Sequence, residues 1–105
     1  MKTLITSTGD HLGAAFDKRF GRAAWFYVFD ESTGETAFYQ NENVNATGGA
    51  GTKAAEKVVE LGVEKIISGD FGPKAKDLLN KFNIQMVIIE EEDLSVNKIV
   101  ERIKK

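Results

Sequence analysis

The chain has 105 residues, 42% hydrophobic and 29% charged, with a formal net charge of −2, no cysteine and one histidine. That size and balance predict a single soluble domain over residues 1–105, neither disordered nor divided into two cores. The missing cysteine excludes disulfides, thiolate zinc centres and cysteine-ligated iron–sulfur clusters built from this chain alone, and the acidic balance argues against a general nucleic-acid binder. Residues 3–7 read as a short strand, ended by Thr8-Gly9-Asp10. Residues 11–23 are charged and glycine-punctuated, too irregular for either period, and read as a loop. The aromatic run 25–29 predicts a strand covered on both faces. Residues 30–34 turn it back, and 35–40 make the return strand of a hairpin. An Asn/Gly-rich loop follows over 41–51.

From Thr52 the period changes. Ala55, Val58 and Val59, closed by Leu61, share one helical face, and Gly62 supplies a left-handed stop. Residues 63–68 predict a buried strand. Pro73 suits a first helical turn, and Ala75, Leu78, Leu79 and Phe82 follow as its apolar stripe. Residues 84–89 form another apolar strand. Asp93 or Ser95 can cap a last helix carrying Val96, Ile99, Val100 and Ile103. The order is β-β-β-α-β-α-β-α, an α/β fold with a mixed five-stranded sheet and three helices. The strands joined by helical crossovers run parallel to the first, and the hairpin strand runs antiparallel. No stretch approaches the roughly 20 apolar residues that cross a bilayer, and no signal-like segment opens the chain, so a cytoplasmic location is expected.

Ligands of open α/β sheets sit beyond the carboxyl ends of the parallel strands. Gly9-Asp10-His11, the turn at 48–52 and the turn at 69–73 are expected on that edge. Glycines at a helix start leave unpaired N–H groups facing outward, a setting that suits an anion. The Gly48-Gly49-Ala50-Gly51-Thr52-Lys53 run departs from the P-loop pattern in its glycine spacing and in its lysine, which follows the threonine. It reads either as an anion contact or as a plain helix start. Lys18, Arg19 and Arg22 can hold an anion by forked contacts, or form a solvated loop that Phe20 anchors in the core. His11 is either a metal ligand through a neutral ring nitrogen or an exposed loop histidine. Asp70 either binds a cation or bonds its own turn. Glu90-Glu91-Glu92-Asp93 reads as a solvated strand end and helix cap, because consecutive carboxylates point in different directions.

Asp17-Lys18-Arg19-Phe20-Gly21-Arg22, followed by an aromatic strand, resembles the Asp-x-x-Phe-Gly-Arg signature of the dinitrogenase iron–molybdenum cofactor biosynthesis family. The Gly49-Ala50-Gly51 turn is similar to that family's second block, and Gly69-Asp70-Phe71-Gly72-Pro73 to its third. The resemblance runs from Met1 to about residue 89. It implies a ribonuclease H-like fold, and for family members tied to nitrogen fixation it implies binding of an anionic iron–sulfur or iron–molybdenum cluster. The expectation is therefore a non-catalytic binding protein, a carrier or sensor of such a cluster or a related small anion. Its contacts would be Gly9, Asp10, His11, Arg19, Arg22, Gly49, Gly51, Thr52, Gly69 and Gly72, with His11 as the side-chain metal ligand. A partner protein in cofactor assembly is a further candidate; nucleic acid and membrane are not expected. Two other classes stand beside this one. A metal-dependent ribonuclease H-like nuclease would need Asp10, Glu56 and Asp70 to act together. A protein-interaction domain would use the 41–51 loop as its contact surface.

Overall fold

A central strand, β1 (Lys2–Ser7), organises the molecule. In the computed structural model, which describes residues 1–42 and 48–103, β2 (Trp25–Asp30) pairs antiparallel with β1, and β3 (Thr36–Gln40) pairs antiparallel with β2. On the other side β4 (Lys65–Ser68) runs parallel to β1, and β5 (Gln85–Ile88) parallel to β4. The mixed sheet has the order β3-β2-β1-β4-β5. Helices α1 (Ala50–Glu60) and α2 (Pro73–Lys81) make the crossovers to β4 and β5, and α3 (Val96–Ile103) follows β5. Among the described residues no helix is long and apolar enough to cross a membrane.

Alternation along the strands produces two cores. Leu4, Phe26, Val28 and Ile66 face α1 and α2, where they meet Ala54, Val58, Ala75 and Leu79. Ile5, Tyr27, Phe29 and Ile67 face α3, and join Phe16, Val96, Ile99 and Val100. The aromatic strand read as covered on both faces has Phe26 through Phe29 buried, because α1 and α2 lie on one side and α3 on the other.

The helix ends explain where the chain departs from its periodicity. Helix α1 starts at Ala50, two residues before the pattern begins, because Gly49 turns the chain at φ 71°. It stops in a Schellman motif: Gly62 N–H donates to the Val59 carbonyl at 3.1 Å and Val63 N–H to that of Val58 at 3.3 Å, with Gly62 at φ 75°. Helix α2 stops the same way around Asn83, at φ 58°, with Ile84 N–H donating to the Leu79 carbonyl at 3.0 Å. That turn takes Phe82 out of the stripe assigned to it. Phe82 is 51% exposed, and Ile84 enters the core instead. Ser95 caps α3, its Oγ accepting from Lys98 N–H at 3.2 Å.

Candidate functional site

The connections leaving β1 and β4 diverge in opposite directions along the sheet, so the carboxyl edge between them is the switch point where α/β folds place ligands. A cleft of about 540 Å³ lies there, lined by 19–22, 49–52, Asp70 and 72–75.

The 19–22 loop is held from both ends of the cleft floor. Phe20 is 2% exposed and packs its ring 5.2 Å from that of Phe71 and 6.1 Å from that of Phe26. Burying such a ring contributes about 1.5–3 kcal/mol, enough to seat the loop against the sheet. Gly21 then touches the backbone of α1: a Cβ on it would come 2.8 Å from the Cα and N of Gly51. Asn41, buried at the end of β3, donates through Nδ2 to the Gly21 carbonyl at 3.1 Å and the Ala23 carbonyl at 2.8 Å. No local pattern marked Asn41, whose partners lie about twenty positions upstream in the chain.

Asp17, 5% exposed, anchors the other side of this loop. Its N–H donates to the Thr6 carbonyl at 3.0 Å, and its own carbonyl accepts from the Thr6 hydroxyl, which lies 3.0 Å from the Ser68 hydroxyl. The Asp17 carboxylate accepts from Arg19 N–H at 3.0 Å, Nε at 3.1 Å and Nη2 at 3.0 Å. The hydrogen bond to Asp17, with its charge, raises the Arg19 guanidinium above its ordinary pKa, so Arg19 is cationic at every working pH.

Helices α1 and α2 both point their N-termini into the cleft. Neither has a side-chain cap, neither has an acidic residue in its first turn, and Gly49 and Gly72 occupy the cap positions. Their first-turn N–H groups have no intrahelical acceptor, and each terminus carries about half a positive charge. The N-terminus of α3 is different: Val96 and Asn97 donate to the Ala14 and Leu12 carbonyls at 3.0 and 2.9 Å. Arg19, Arg22 and Lys74 share the cleft with these termini, so donors and positive charge sit on a lining that is otherwise largely apolar, with Phe20, Ala50, Pro73 and Ala75. Among the described residues, Asp70 is the one carboxylate in the lining.

The residues singled out in the sequence part into three groups. Arg19, Arg22, Gly49, Gly51, Thr52 and Gly72 line the cleft together, with Asp70 and the unanticipated Lys74. Gly69 lies behind it against Lys18, whose ammonium pairs with Glu92 rather than facing the cleft. Gly9, Asp10 and His11 are outside the lining. Gly9 forms a turn with the Ser7 hydroxyl, and the exposed His11 imidazole lies beside Gly9 and Gly13. Among the described residues no three His, Asp or Glu side chains form a group that could hold a metal ion, the set Asp10, Glu56 and Asp70 included. Of the 41–51 loop, residues 43–47 lie outside the described residues.

A family model described as dinitrogenase iron-molybdenum cofactor matches residues 1–105. The apo form of the orange protein from Desulfovibrio gigas is similar in structure, with a TM-score of 0.88 and 32% identity over 98% of this chain and 86% of that one. A Thermotoga protein of the DUF35 family, described as a NifB candidate, superposes with a TM-score of 0.83 and 25% identity, over 98% of this chain and 86% of its own. At 16% identity, the protein PH0822 shares the fold, with a TM-score of 0.76 over 98% of this chain and 89% of its own. No curated protein matches the sequence.

Proposed function

The chain belongs to the dinitrogenase iron-molybdenum cofactor family, and from that premise we propose a non-catalytic binding protein that carries or senses an anionic metal cluster in the cleft described above. The observation that carries this reading is the convergence of two uncapped helix N-termini with Arg19 and Arg22 on one open cleft. Such donors suit negative charge spread over the outer atoms of a ligand.

The donor set also says how a cluster would be held. The chain has no cysteine, and His11 is outside the cleft, so the lining offers N–H groups and cations rather than soft metal ligands. These residues fit an iron–sulfur or iron–molybdenum cluster that arrives with its coordination complete and is gripped by its sulfur or oxygen periphery. Arg19, Arg22, Lys74 and the first-turn amides of α1 and α2 would hold it, and the cluster would supply whatever redox chemistry follows elsewhere. The description of the orange protein structure as an apo form supports a ligand-holding role. The sheet order, with β2 antiparallel, supports the ribonuclease H-like reading of the fold.

Anaerobic titration of the protein with isolated iron–molybdenum cofactor, followed by visible absorption and amide shifts, tests the reading. Stoichiometric binding with shifts at 19–22, 50–52 and 72–75 is expected, and Arg22→Ala should weaken it. His11→Ala should leave it unchanged. Saturable binding without shifts at these positions would move the site elsewhere, and no binding at all would reject the reading.

A further inference from the structure

We infer that Asp17 is a positioning residue for anion recognition: it fixes the Arg19 guanidinium so that its outer edge meets an anion with two or more terminal acceptor atoms. This rests on the proposed reading of the cleft as an anion site.

The geometry supplies the argument. A guanidinium has five N–H donors arranged along a rigid plane. Asp17 takes the Nε hydrogen and one Nη2 hydrogen in a fork, at 3.1 and 3.0 Å. The neighbouring edge, made of an Nη1 hydrogen and the remaining Nη2 hydrogen, is a second fork. The Arg19 side chain is 67% exposed on the cleft, whereas that of Asp17 is 4% exposed. The fixed end of the pair is therefore the carboxylate. It is tied to the sheet because the Asp17 backbone N–H donates to the Thr6 carbonyl and the Asp17 carbonyl accepts from the Thr6 hydroxyl. Closing the loop needs only the Arg19 backbone N–H, which Asp17 already accepts at 3.0 Å. The two guanidinium bonds go beyond closure, and their effect is to remove rotamer freedom from a side chain that would otherwise lose it on binding. An anion with a pair of adjacent terminal oxygens or sulfurs matches the free edge, and a monatomic ion does not.

Charge and position predict opposite signs for one substitution. Asp17→Asn removes a negative charge beside the cleft, so Coulomb attraction alone would tighten binding of an anion. Loss of the fork would loosen it. The probe is molybdate, a tetrahedral dianion, titrated at fixed ionic strength and followed by amide shifts, with chloride as the monatomic comparison. Wild-type protein should show saturable shifts at 19–22, 50–52 and 72–75 with molybdate and weaker ones with chloride. Its Arg19 Nε–H resonance should exchange slowly with solvent. Asp17→Asn should weaken molybdate roughly fivefold and broaden that resonance, and Arg19→Ala should weaken it about tenfold.

Unchanged or tighter binding by folded Asp17→Asn would overturn the assignment, as would an unaltered affinity in Arg19→Ala. Should Asp17→Asn fail to fold, Arg19→Lys decides the matter. It keeps the charge but cannot fork on both sides, so wild-type affinity there would also overturn the assignment. If wild-type protein shows no molybdate shifts in the cleft, the anion-site reading itself falls, a result separable from failure of the variants alone.

Discussion

Gly21 and Gly51 meet backbone to backbone where the 19–22 loop crosses the start of α1, but only one of them is required to be glycine. A Cβ at Gly21 would lie 2.8 Å from the Cα and N of Gly51, whereas a Cβ at Gly51 would meet only the Ala75 methyl, at 3.5 Å. Gly21→Ala should therefore destabilise by about 1–3 kcal/mol, the usual cost of overpacking against atoms that cannot move aside. Gly51→Ala should be neutral or stabilising by up to about 1 kcal/mol, since helical alanine is favoured over glycine. Urea unfolding of both variants checks this asymmetry. Equal losses would mean that the helix start and the loop do not touch as described.

Asn41 answers two carbonyls of the loop, that of Ala23 buried and that of Gly21 half-buried. Asn41→Ala should cost about 1–3 kcal/mol and loosen the loop on its arginine side. Faster amide exchange at 21–24, with β2 unaffected, is the expected signature.

Thr3 presents the reverse case. Its hydroxyl is buried on β1 and has no hydrogen-bond partner among the described residues. Thr3→Val keeps the shape and β-branching while removing an unanswered polar group, so it should be neutral or stabilise by about 1 kcal/mol. A loss of more than that in denaturant unfolding would show that the hydroxyl is answered.

Glu91 gives the fold a small acid sensitivity. Its hydrogen bonds to Arg102, reinforced by charge attraction, hold its carboxyl below the ordinary glutamate value. A depressed folded value means that the contribution is present above the unfolded value, near about 4, and is lost as pH falls through the folded one. Both side chains are about half exposed, so the effect is that of a screened surface pair. The melting temperature of the wild type should fall more steeply than that of Glu91→Gln between about pH 5 and 3, and salt should narrow the gap. Parallel curves would remove the pair from the stability of α3.

Much of the fold was legible because its elements are locally consistent. Short apolar runs and period-3.6 stripes located five strands and three helices, Gly62 marked the end of α1, and Ser95 was one of two caps offered for α3. Phe82 was misplaced for a physical reason: the i+7 position continues a stripe only while the helix continues, and Asn83 turns the chain first. The start of α1 came early because a left-handed glycine begins the helix before any apolar residue reports it.

The amino-acid sequence by itself determined which groups the molecule can offer: glycines before two helices, arginines beside a buried phenylalanine, and no thiol. Tertiary structure decided which of them act together. Lys18 and Arg19 are adjacent and alike in charge, yet one pairs with Glu92 and the other forks onto Asp17 above the cleft. His11 and Arg22 were both candidates, and the loop that seats Phe20 places only the second on the cleft. Local propensity acts over a few residues, whereas a cleft at a sheet's switch point is made by strands whose order β3-β2-β1-β4-β5 no local pattern encodes. Its direction and charge follow from long-range packing, above all from the close approach that Gly21 permits.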